Sequence, residues 1–111
     1  MVKGPSKVKI TVLKCFKPEE IFKEPPVKGG PTEACDLFKK GDVFIVEGDR
    51  TCMPEGFCPW AWNDIFHDVM VLRCNGDFYF YDEPGVSVNC CTDALRPVIF
   101  KLERISDSNE T

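Results

Sequence analysis

The stretch Gly56-Phe57-Cys58-Pro59-Trp60-Ala61-Trp62 decides the fold, because it opens the one segment with sustained helical periodicity. From Pro59 to Arg73, the residues Ala61, Trp62, Ile65, Phe66, Val69 and Leu72 recur at the i, i+3, i+4, i+7 spacing of a core-facing stripe. Asn63, Asp64, His67 and Asp68 fall on the opposite side. Trp60 and Val71 also project there, so another element or a second subunit is expected to cover them. Proline suits the first helical position, since its fixed φ fits and its missing N–H had no intrahelical partner. Asn75-Gly76 supplies the stop signal. Cys58 therefore falls at the N-cap, beside N–H groups whose partial positive charge favours a thiolate. The plain alternative is a small buried hydrophobe.

Strands are read outward from this helix. Lys7 to Cys15 alternates, with Val8, Ile10 and Val12 on one face and Lys7, Lys9 and Thr11 on the other. Val43-Phe44-Ile45-Val46 is apolar on both faces and suits a strand covered on two sides. Phe78-Tyr79-Phe80-Tyr81, within residues 77–81, reads as an aromatic strand. Val86 to Val88 makes a short strand entering Cys90-Cys91. The last strand is Pro97 to Ile105, with Val98, Phe100 and Leu102 on one face and Ile99 breaking the pattern on the other. Between the first two strands, Pro18, Pro25, Pro26, Pro31 and Gly29-Gly30 mark a long loop, either a lid or poorly ordered. Ile21 and Phe22 are expected to tuck against the body, as a helical turn after Pro18-Glu19-Glu20. These elements predict an α+β fold: a small, mostly antiparallel sheet of four to five strands packed on one main helix at about 59–73. The chain reads as a single domain with an ordered core at about 7–105 and loose tails at 1–6 and 106–111.

Composition narrows the function classes. The hydrophobic fraction of 43% and nine phenylalanines suffice for one core. No apolar run reaches the roughly 18 residues of a membrane span, and no secretory signal is visible. A net charge of −4 and the lack of a basic stripe argue against nucleic acid. Seven cysteines, an odd count, predict a reduced cytoplasmic protein more than a disulfide framework. The spacings of common zinc sites are missing. Adjacent strand residues point to opposite faces, so Cys90 and Cys91 could share one ion only after local distortion.

One set of short motifs recurs in order: Cys35 before Gly41-Asp42 and a strand, Pro54-Glu55-Gly56-Phe57-Cys58 opening the helix, and Cys91-Thr92-Asp93 before Arg96-Pro97 and the final strand. Over about residues 8–105 this resembles a family of small uncharacterised bacterial and archaeal proteins of similar length. The resemblance implies no particular activity or cofactor. It implies that Cys35, Cys58 and Cys91 fit a pattern, while Cys15, Cys52, Cys74 and Cys90 are extras.

Three readings of the chemistry follow. In the first, Cys58 is a reactive thiol with Cys91 or Cys35 as its resolving partner, or the three bind a soft metal with His67 or Asp93 as a fourth ligand. His67 lies about 13 Å along the helix from Cys58, too far for a dyad. In the second, Trp62, Tyr79, Phe78 and Tyr81 line a small-molecule pocket, with Asp93, Arg96 and Asp42 as polar anchors. Against it, the aromatics are core, and Asp42 and Asp93 are turn formers. In the third, the chain is an interaction module that forms a homodimer through the aromatic strand or Trp60.

Overall fold

A computed structural model describes residues 4–105. Of the expected loose tails, residues 1–3 and 106–111 lie outside the described residues. The elements in chain order are β1 (Lys7–Cys15), α1 (Pro18–Ile21), β2 (Val43–Val46), α2 (Pro59–Arg73), β3 (Val86–Cys90) and β4 (Val98–Ile105). The strands form one antiparallel sheet in the order β2-β1-β4-β3, and α2 packs across one face of it. This is the α+β arrangement that the periodicity predicts.

The central pair, β1 and β4, fills the core from alternate positions. Val8, Ile10 and Val12 from β1 meet Val98, Phe100 and Leu102 from β4, all essentially inaccessible to solvent. Ala61, Ile65, Val69 and Leu72 close the core from α2. Trp62 and Phe66 lie at the edge of the stripe, half-buried and exposed, with their rings 5.6 Å apart. Phe38, Phe57 and Phe100 form a three-ring cluster with centroid spacings of 5.0, 5.2 and 5.4 Å. Such edge-on and tilted contacts suit the ring quadrupole and add to the area buried.

Both ends of α2 are set by local chemistry. Gly56 has φ +82, a conformation open to glycine, and the Phe57 N–H closes the turn onto the Pro54 carbonyl at 3.2 Å. That turn sends Phe57 into the core and leaves Cys58 as the extended N-cap with Pro59 behind it. At the other end Asn75 takes the left-handed conformation, φ 64. The Gly76 N–H then returns to the Val71 carbonyl at 2.8 Å, which closes the helix.

Three expectations are corrected. Residues 77–81 do not form a strand. Tyr81 N–H bonds the Phe78 carbonyl at 3.1 Å, and Asp77 accepts the Gly85 N–H at 2.7 Å, so the segment coils into turns with its rings against one another. β2 is not covered on two sides. It is an edge strand on a sheet with a helix on one face only, and Val43 and Ile45 are 49% and 38% exposed. The segment before β1 is not loose at Ser6. Its N–H bonds the Arg73 carbonyl at 2.9 Å, its carbonyl accepts from Arg73 Nε at 2.8 Å, and its hydroxyl reaches Asn75. The long loop does carry the expected helical turn, α1, where Glu20 accepts the Lys17 N–H at 2.7 Å, but Ile21 is exposed and does not tuck against the body.

Candidate functional site

Cys35, Cys58 and Cys91 come from three separate segments and line one open cavity of about 560 Å³. Cys58 sits at the head of α2, half-buried, and its side chain caps no backbone N–H. Cys91 follows β3 and is buried, while Cys35 lies half-buried before Phe38. None of the seven cysteines is disulfide-bonded. Asp36, Thr92, Asp93 and Arg96 add polar and charged groups to the lining.

A hydrogen-bond chain fixes the 91–96 segment over the start of α2. Asp64, on the polar side of the helix, accepts the Thr92 N–H at 2.7 Å and the Thr92 hydroxyl at 3.1 Å. The Thr92 hydroxyl oxygen in turn accepts from Trp60 Nε1 at 2.5 Å. Trp60 thereby keeps an exposed ring (65%) in a fixed place on the cavity wall. One turn further along α2, Asp68 accepts from the Ser87 hydroxyl at 2.6 Å and from Asn89 Nδ2 at 3.1 Å, holding β3 to the same helix. The outward residues of α2 are therefore the clamp that holds Cys91 on the cavity that Cys58 also lines.

Asp93 is the turn former that its type suggests, and also an anchor. It accepts the Leu95 N–H at 3.2 Å and Arg96 Nε at 3.1 Å. Burial pushes the Cys91 thiol up, while the Val98 and Asp93 backbone N–H groups that donate to its sulfur pull it part of the way back. Two such donors leave the sulfur oriented and partly solvated by the backbone.

The structure brings Cys15 to this group as well. Its thiol donates to the Phe38 carbonyl at 3.5 Å and is pushed up first by burial, then by the nearby charges of Cys35, Asp42 and Cys91. A bulge in β1 between Val12 and Lys14 is the reason. Without it, strict alternation would turn Lys14 inward after Val12; with it, Cys15 takes that side, paired with Val98. The visible signal was the break in alternation at Leu13-Lys14, an apolar residue where a polar one was due and the reverse.

Of the other expected ligand residues, Asp93 and Arg96 line the cavity, and Trp62 and Tyr79 do not. Trp62 lies about 100° further round α2 than Ala61, and its ring packs against Phe57 and Phe66. Tyr79 follows the far end of α2, about 22 Å along the axis, and is 96% exposed. Asp42 serves its turn by accepting the Lys39 N–H at 2.9 Å. His67 is exposed on α2 and does not line the cavity. Among the described residues, no three His, Cys, Asp or Glu side chains are gathered to hold a metal ion. Among them also, no helix is long and apolar enough to cross a membrane.

No protein-family model matches the chain, and no curated protein or solved structure matches it either.

Proposed function

We propose that the protein binds a small molecule in the cavity at the head of α2 and presents Cys58 to it as a reacting thiol, with Cys91 and Cys35 at hand. The observation that carries this is the convergence of three unpaired cysteines from separate segments on one cavity. These are also the three cysteines that the sequence resemblance picks out. Cys58 stands at the head of α2, whose N-terminal N–H groups carry partial positive charge. Asp93 and Arg96 offer the ligand an acceptor and a donor in fixed relative position. We place this chemistry in a reducing cytoplasm, a reading that the free state of all seven cysteines supports.

Alkylation by iodoacetamide at pH 7, followed cysteine by cysteine by peptide mass spectrometry, tests the reading. Cys74 is exposed and serves as the internal reference. We expect Cys58 to react at least about tenfold faster than Cys74, as an activated thiol at a helix start should. A Cys58 that reacts no faster than Cys74 sinks the proposal.

A further inference from the structure

A second cleft, of about 350 Å³, lies where the proline-rich loop folds back on the body. Its walls are mostly apolar, with Phe22, Pro25, Val27 and Pro31 from the loop and Leu95 from the segment that follows Cys91, while Glu19, Lys23 and Thr32 also line it. Leu95 also lines the thiol cavity, so the two spaces share a wall. The loop has no packed core of its own, and its prolines hold this shape with little conformational freedom to lose on binding.

We propose that the proline-walled cleft holds the hydrocarbon part of the same small molecule whose reactive end meets Cys58. The ligand class is then a thiol-reactive molecule with an apolar tail, its head near Asp93 and Arg96 and its tail across Leu95. This inference rests on the thiol reading above. The volume suits it: at about 30 Å³ for each water-sized group, the cleft takes roughly a dozen. Ligand sites of this kind are mostly apolar with few polar anchors. The polar anchors for the head, Asp93 and Arg96, belong to the neighbouring cavity.

Gly30 supplies the means of testing it. A Cβ at this position would lie 3.5 Å from Leu95 Cδ1, an ordinary contact, and the Gly30 backbone is not left-handed. Gly30→Leu should therefore fill the cleft without straining the chain. The probes are methyl and hexyl methanethiosulfonate. The Cys58 thiolate attacks the sulfenyl sulfur, a mixed disulfide forms, and methanesulfinate leaves with the bonding pair. Each buried methylene is worth about a factor of four. With two or more buried, the hexyl reagent should modify Cys58 at least about tenfold faster than the methyl reagent, both rates taken relative to Cys74. Gly30→Leu should abolish that preference, and 1-hexanol should slow the hexyl but not the methyl reaction in the unaltered protein. Fast modification by both reagents without a chain-length preference overturns the cleft assignment and leaves the thiol reading standing. A preference that survives both Gly30→Leu and 1-hexanol also overturns the cleft assignment. Modification of Cys58 by either reagent no faster than of Cys74 overturns both.

Discussion

Asp77 shows how much of this fold depends on single polar side chains at the ends of elements. Its carboxylate accepts Arg104 Nη2 at 2.8 Å and the Gly85 N–H at 2.7 Å. Arg104 reaches back with its other nitrogen to the Gly76 carbonyl at 2.7 Å and the Leu72 carbonyl at 3.3 Å. One guanidinium thus caps α2 and anchors the turn that replaces the expected aromatic strand. The Arg104 hydrogen bond, followed by that of Gly85, holds the Asp77 carboxyl below the usual carboxylate range. A depressed folded-state value means stability that is present above the ordinary value of about 3.9 and lost as pH falls through the lower one. Asp77→Asn should therefore lower the urea midpoint at pH 7, and the deficit should shrink as the pH is taken below about 3.9. A deficit that stays constant down to pH 2 would show that the charge is not the cause. The sequence could not reveal this pairing, because Asp77 and Arg104 are distant in the chain and both types are ordinarily solvated.

At the level of elements, what was legible and what was not divide along a physical line. α2 was legible because its stripe, its Pro59 start and its Asn75-Gly76 stop are local signals, and local energetics enforced them. β1 is legible as a strand, while the bulge that turns Cys15 toward Cys35 and Cys91 leaves only the break in alternation at Leu13-Lys14 as a signal, since its place depends on the partner strand. Phe78-Tyr79-Phe80-Tyr81 has strand-like residue types, yet β4 already carries β1 on one side and β3 on the other. β2 reads as doubly buried because all four residues are apolar, and only the placing of the single helix shows that one face is open. Cys58, Cys91, Cys35, Asp93 and Arg96, which stand out by motif position, line one cavity, whereas Trp62 and Tyr79, which stand out by ring chemistry, lie elsewhere. The element joint most exposed to test is the turn before α2. Gly56→Ala keeps every contact but forces a side chain into φ +82. It should cost about 1–2 kcal/mol of stability in urea unfolding, the strain of a left-handed backbone on an L-residue. It should also slow alkylation at Cys58, which the turn positions. Full retention of both stability and Cys58 reactivity would show that the turn is not what sets the N-cap.

Over the whole molecule, Arg73 is the residue that joins separate parts. It is the last residue of α2 and 1% exposed. Its guanidinium donates to the Ser6 carbonyl at 2.8 Å, the Arg50 carbonyl at 3.1 Å, the Thr51 hydroxyl at 2.8 Å and the Gly48 carbonyl. The segment before β1, the loop after β2 and the end of α2 are thus pinned to one planar cation, and a helix C-terminus favours that charge. Arg73→Met keeps the apolar stem and removes the donors to the Ser6, Gly48 and Arg50 carbonyls and the Thr51 hydroxyl. The expected loss is about 3 kcal/mol, from several hydrogen bonds to one charged group. Chemical denaturation measures it, and a loss under about 1 kcal/mol would mean that water replaces the guanidinium at little cost.

The register of the central pair has a mechanical consequence. Lys7 lies opposite Ile105, and Cys15 lies opposite Val98 at the other end of the ladder. Tension applied between Lys7 and Ile105 runs across the rungs of an antiparallel pair and loads them one at a time. The sheet then opens like a zipper from that edge, with little resistance at any instant. The rung beside Cys15 and the thiol cavity is the last to part, so the chemical end of the molecule outlasts its tethered end under load.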